Sequence, residues 1–176
     1  RLDGSNELVD RRAFDSTQLV SHGDQRFAGG ILYIPGDLTL AAAQLYPTIG
    51  ASATIHAGWR GTSADYDPGR RLVIARTTDS TPAMPYSAFG SLTLGAATVD
   101  QGGIVRAPLG TLNIGYSRNQ QTRTVNLLPG SLTSVSAGGL LLPYGGTVDG
   151  ITWQYDGQDI SLLGVGGTTA GNSLQV

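Results

Sequence analysis

The chain has 176 residues, enough for one domain with a continuous core, and a formal net charge of −2. That balance excludes the strongly basic field that holds nucleic acid or an anionic membrane. Zero cysteines exclude a disulfide or thiolate-metal framework, and no apolar run is long enough to span a bilayer.

The basic residues are all arginine, eleven of them, and Glu7 is the sole glutamate. Twenty-six glycines and eight prolines, set among aliphatic phrases, suit short strands joined by tight corners. A 40% hydrophobic content argues against disorder.

Residues 1–28 carry dense charge and no clear repeat, so they read as an irregular lead-in or a first coil. Ser5 or Asn6 offers a cap for a short helix through Glu7 to Phe14. From Thr17 a period-2 alternation begins. Four phrases then repeat one pattern of Gly, polar, Leu, polar: Gly36-Asp37-Leu38-Thr39-Leu40, Gly90-Ser91-Leu92-Thr93-Leu94, Gly110-Thr111-Leu112-Asn113-Ile114 and Gly130-Ser131-Leu132-Thr133-Ser134. The last three begin 20 residues apart. A fixed period of this size is the signature of a solenoid, whose units bury their apolar faces only by stacking.

Weaker copies stand at Ala53–Ala57, Arg71–Ala75 and Gln158–Leu162. Together they predict about seven coils of roughly 16 to 28 residues. Leu38, Ile55, Leu72 or Ile74, Leu92, Leu112 and Leu132 are expected to form one continuous aliphatic ladder. Arg60 to Pro68 and Thr77 to Pro85 read as loops leaving the coil. Near the C-terminus, β-prone runs flank Asp149-Gly150, a strong hairpin signal. The predicted organisation is coils over 17–163 with a projecting β-hairpin near 144–157, then a Gly/Thr/Ser-rich end at 164–176. The chain starts at Arg1 without a methionine and is expected to be a piece of something longer.

Pro35-Gly36-Asp37-Leu38-Thr39-Leu40-Ala41-Ala42, Asp100-Gln101-Gly102-Gly103-Ile104-Val105-Arg106-Ala107-Pro108-Leu109-Gly110-Thr111-Leu112, Pro129 to Gly139 and Pro143 to Gly150 carry a family resemblance. The chain resembles filamentous-haemagglutinin-like exoproteins, the large adhesins of Gram-negative two-partner secretion, over roughly residues 17 to 157. The resemblance implies an all-β right-handed parallel β-helix, a β-solenoid segment from toward the C-terminal part of such a protein. It also implies export of the full-length parent through a dedicated outer-membrane pore to the secreted or outer-surface space. Adhesion or biofilm cohesion would be its role, and it brings no catalytic residues to carry over.

The side chains offer little chemistry. His22 and His56 have no partner spacing for zinc, and His56, on the outward side of its strand, is expected to be solvated. Asp65/Asp67, Asp100 and Asp156/Asp159 are candidates for the paired carboxylates of a polysaccharide hydrolase, which need two such groups roughly 5 to 10 Å apart. In Gly/Pro loops aspartate more often makes turns. Gly102-Gly103 and Gly145-Gly146 are corners, since a phosphate loop needs a lysine that the chain lacks. Gly166-Gly167 lacks the rest of a calcium nonapeptide. Arg11-Arg12 and Arg70-Arg71 are solvated faces.

Tyr33, Tyr46 and Tyr86, near prolines, are expected to pack corners, whereas Trp59 beside Arg60 suits either packing or contact. Tyr144, Trp153 and Tyr155 cluster around the predicted hairpin. They are the candidate contact for a partner or glycan, or else a cover for the flank.

The sequence thus reads as a non-enzymatic shaft segment of a surface adhesin, with no cofactor, no catalytic residue and no metal. A host receptor, a matrix polysaccharide and neighbouring coils of the parent chain are its expected partners. The alternatives are the presentation stalk of a contact-dependent toxin and a β-helical polysaccharide-active enzyme.

Overall fold

The structure, a computed structural model, describes residues 14–61, 64–117 and 120–140, and beyond them the backbone of 146–147, 153–155, 158–162 and 173–174. The segment offered above as a short helix lies almost wholly outside these residues. Every regular element described is a strand, and there is no helix among the described residues.

The alternating sequences form strands because each places branched or aliphatic residues on one face and hydroxyls or charges on the other. In chain order they are β1 (Ser16–Val20), β2 (Gln25–Phe27), β3 (Gly30–Ile34), β4 (Asp37–Ala42), β5 (Leu45–Pro47) and β6 (Ser52–Ala57). Then come β7 (Arg71–Arg76), β8 (Ser91–Gly95), β9 (Thr98–Gln101), β10 (Ile104–Arg106), β11 (Thr111–Ile114), β12 (Thr124–Leu127) and β13 (Leu132–Ser134).

These strands make three parallel sheets, which the chain visits in turn. The first has the order β1-β4-β7-β9-β12, the second β13-β10-β5-β2 and the third β11-β8-β6-β3. The shortest circuit is about twenty residues. Gln25 lies opposite Leu45, Ser16 opposite Asp37 and Ser91 opposite Thr111. Longer circuits carry insertions. Residues 58–70 separate β6 from β7, and 77–90 separate β7 from β8 without supplying a strand to the second sheet. There β10 pairs directly with β5, through Val105 opposite Leu45.

The core lies between the sheets. Leu38, Leu72 and Val99 form one row in the first sheet, with Leu40 and Ile74 beside them. Ala53 and Leu92, then Ile55 and Leu94, form rows in the third. All of these are at most 4% exposed. Each fully buried leucine or isoleucine contributes about 1.5–3 kcal/mol of transfer free energy.

The expected single ladder is therefore corrected. Leu38 and Leu72 belong to the first sheet, Leu92 and Leu112 to the third and Leu132 to the second. The rows lose cover toward both ends, where Leu19 is 41% exposed and Leu127 67%. Five strands in the first sheet mark five circuits among the described residues, not seven.

Gly110 shows why a glycine leads the phrase. A Cβ built there would collide with the carbonyl oxygen of Gly90, one circuit earlier. Only glycine permits that approach of two backbones.

Beyond residue 140 the pairing changes. β14 (Gly146–Thr147) is antiparallel to β15 (Trp153–Tyr155), which is antiparallel to β16 (Gln158–Leu162), and β16 runs parallel to β17 (Ser173–Leu174). Thr147 faces Trp153 across the segment holding Asp149-Gly150. Gln158–Leu162, read above as a further coil, is thus a strand of this fourth sheet.

Candidate functional site

The third sheet carries two kinds of side chain on its outer face. At one register position Tyr33 of β3 lies opposite His56 of β6, which lies opposite Gly95 of β8. The Tyr33 and His56 rings stack at 5.2 Å and 5°. Trp59, just past β6, sits 4.3 Å from Tyr33 and 4.8 Å from His56, centroid to centroid. Tyr66 returns from the 58–70 insertion and Tyr116 follows β11. Their rings lie 5.8 Å and 4.9 Å from His56. Five aromatic rings from distant segments thus form one wall along this side of the sheet.

His56 is 3% exposed, which corrects the expectation that it is solvated. It does point outward, but Tyr66 covers it. That ring is itself 1% exposed, and its hydroxyl lies 2.5 Å from His56 Nδ1. The space for the hydroxyl comes from Gly95, where any Cβ would strike it. Burial, aided by the nearby Tyr116, Asp65 and Tyr33, raises the Tyr66 pKa, so the phenol keeps its proton. The hydroxyl and Nδ1 share one hydrogen bond, whose direction follows the His56 tautomer. Desolvation lowers the His56 pKa below its ordinary 6.5.

Asp65 fastens the insertion. Its carboxylate accepts from the Gln121 N–H at 2.7 Å, the Tyr66 N–H at 2.9 Å and Arg123 Nη2 at 3.1 Å. These bonds, led by the one from Gln121, lower its pKa. Residues 64–66 and 120–123 are thereby tied together over the wall.

A pH dependence follows with a definite sign. The unfolded chain binds a proton at His56 more readily than the folded one, so stability is complete above pH 6.5 and falls as pH drops toward the depressed folded value. Asp65 adds a second loss, which begins only near the ordinary carboxylate range of about 4. The melting temperature should fall between pH 7 and pH 5, and fall less in His56→Asn, which keeps an acceptor but does not titrate. Equal slopes in both proteins would remove His56 from this role.

Beside the wall the same face carries hydroxyls. Ser52, Ser91 and Thr111 stand in one row, and Thr54, Thr93 and Asn113 in the next. Neighbours within the rows are bonded, Ser91 Oγ to Ser52 Oγ at 2.9 Å and Asn113 Nδ2 to Thr93 Oγ1 at 3.1 Å. The first sheet's outer face adds charged side chains to its hydroxyls and amides, and an ion pair flanks its strands. Arg70 pairs with Asp15 at 2.8 Å, and Arg71 with Asp100 at 3.2 Å.

The residues singled out from sequence are scattered. Tyr144 lies outside the described residues, as do the side chains of Trp153 and Tyr155, whose backbone forms β15. The carboxylates near the described body are engaged in structural bonds. Asp67 accepts from the Gly69 N–H in a turn, and Asp100 holds Arg71 and Asn126. Asp156 lies outside the described residues, as does the Asp159 side chain. His22 is exposed, Tyr46 is buried but lies within strand β5 and not at a corner, and Tyr86 is 59% exposed. Among the described residues, no three His, Cys, Asp or Glu side chains gather as a metal site would require.

Sequence reading missed the wall because its members are spread from position 33 to position 116. Register was the available signal: position 33 matches 56 in the same way that 30 matches 53. No family model, no curated protein and no solved structure matches this chain.

Proposed function

We propose that the chain is a right-handed parallel β-helical shaft segment of a secreted or surface-displayed bacterial adhesin, and that it performs no catalysis. The observation that carries this reading is the repeated order of three parallel sheets with buried aliphatic rows. A chain built this way extends by adding circuits of about one strand spacing, ~4.8 Å each. Its sequence resemblance to filamentous-haemagglutinin-like exoproteins supplies the surface location, the secretion pore and the adhesive role. The engagement of Asp65, Asp67 and Asp100 in structural bonds supports a passive shaft over a hydrolase.

Display of the chain on the outer surface of a non-adherent Gram-negative cell tests the reading. Attachment to a polysaccharide matrix, or cell–cell cohesion, should rise above that of cells displaying an unrelated β protein. No reducing ends should be released from the matrix. Reducing-end release that disappears in Asp65→Asn or Asp100→Asn would establish the enzyme instead, and unchanged attachment would remove the adhesive role.

A further inference from the structure

We infer that the outer face of the third sheet is a binding shelf for a neutral, β-linked polysaccharide chain, with the aromatic wall as its stacking edge. The inference deepens the adhesin reading by naming what the shaft holds and where.

Three observations carry it. The first is the chemistry of the shelf. Its two rows, Ser52-Ser91-Thr111 and Thr54-Thr93-Asn113, contain no ionisable group, while the first sheet's outer face includes the Arg71–Asp100 ion pair. Hydroxyls and amides donate and accept with equal ease, as sugar hydroxyls do. An anionic polymer would call for arginines, and none stands in these two rows.

The second is spacing. Successive shelf residues in a row are one strand apart, about 4.8 Å. One residue of an extended β-linked chain is of similar length, so a chain lying across the strands meets a fresh hydroxyl or amide at each sugar. The face is also open where it matters: Ser52, Thr111 and Asn113 are exposed, and Thr54, Ser91 and Thr93 half-exposed.

The third is the wall. Tyr33 is 39% exposed, and Trp59 and Tyr116 are half-buried. Among the described residues, the Trp59 indole N–H and the Tyr33 hydroxyl have no hydrogen-bond partner. Aromatic faces with free polar tips suit the apolar face of a pyranose ring and its equatorial hydroxyls. His56 and Tyr66 lie beneath and hold the wall in place, which pre-orders the site.

The test uses the whole chain with cellohexaose as the neutral probe, hexagalacturonate as the acidic one, and isothermal calorimetry. Wild type should bind cellohexaose saturably and hexagalacturonate at least ten times more weakly. Tyr33→Ala and Trp59→Ala should each weaken cellohexaose binding by about ten-fold or more, as loss of an aromatic anchor does. Thr93→Arg, which leaves the wall intact and fills the shelf, should abolish it. Trp153→Ala should bind as wild type does. Circular dichroism and melting curves establish that each variant is folded. Because Trp59→Ala also removes packing, Thr93→Arg keeps the claim open to refutation if Trp59→Ala unfolds.

No saturable binding of cellohexaose, preference for the acidic probe, or unimpaired binding in Thr93→Arg would overturn the inference. So would loss of binding in Trp153→Ala alone, which would place the contact at β15, or a wild-type dimer that Thr93→Arg disperses, which would make the shelf a self-association face. Cellohexaose binding without attachment in the cell-display assay would refute the adhesive role and leave the shelf standing.

Discussion

Leu92→Ala should lower the free energy of unfolding by about 2–5 kcal/mol, the range for a buried leucine cut back to alanine. Leu92 is fully buried, opposite Ala53 on one side and Leu112 on the other, and Leu94 two positions along is equally buried. With both faces of its row occupied, the site cannot collapse around the void, which places it toward the upper part of that range. Leu92→Asp should leave too little stability to fold, since a charge placed there has no partner. Leu132→Ala is the control. It follows the same glycine phrase, but its side chain is 36% exposed at the last circuit described, so the cost should be much smaller. Urea unfolding followed by tryptophan fluorescence measures all three. Equal losses at Leu92 and Leu132 would mean that the core does not lie where the rows place it.

That contrast shows what the repeated phrase encodes. A glycine followed by polar-Leu-polar marks a corner and the strand that leaves it, whichever sheet the strand joins. Gly90 and Gly110 do stack, one circuit apart, in the third sheet. Gly110 and Gly130 are separated by the same interval, yet Gly130 leads into the second sheet, because residues 115–123 lengthen the circuit between them. All-β character and parallel pairing were legible, because period-2 alternation and corner glycines are local. The sheet assignment was not, because it depends on how many residues each insertion spends before rejoining.

The insertions themselves were half legible. Gly, Pro and Asp at 58–70 and 77–90 announce irregular chain. That Tyr66 would turn back onto His56, and that Ser87, Ala88 and Phe89 would be buried, rests on contacts made across the fold. Gly95 offered a clue. At the register of Tyr33 and His56 a glycine leaves room that another group must fill, and the group is the Tyr66 hydroxyl. The aromatics that drew attention in sequence, Tyr144, Trp153 and Tyr155, were neighbours along the chain. The wall was assembled from residues that are not.

Gln44→Leu should be nearly as damaging as the core substitution, for an electrostatic reason. Gln44 is 2% exposed and joins four parts of the fold: its own turn between β4 and β5, Asp24 before β2, the 77–90 insertion, and Arg106 of β10. Its Nε2 donates to Asp24 Oδ2 at 3.0 Å and to the Ala83 carbonyl at 3.0 Å, and its Oε1 accepts from Arg106 Nη1 at 2.8 Å. Arg106 is 6% exposed, its Nε lacks a partner, and burial lowers its pKa while Asp24 works in the opposite direction. Removing the amide takes away the shortest hydrogen bond of Arg106 Nη1 and leaves it the Pro82 and Ala83 carbonyls, at 3.0 and 3.1 Å. Loss of a hydrogen bond to a buried charged group costs about 1.5–3 kcal/mol. The double variant Gln44→Leu/Arg106→Met should recover much of the loss, because an apolar pair has no charge to solvate. Urea unfolding gives the energies, and limited proteolysis within 77–90 reports whether the insertion has come free. A single variant within about 0.5 kcal/mol of wild type, with 77–90 still protected, would assign the hold on the insertion to Ser87 and Phe89, whose bonds to the Pro47 and Pro108 carbonyls would then suffice.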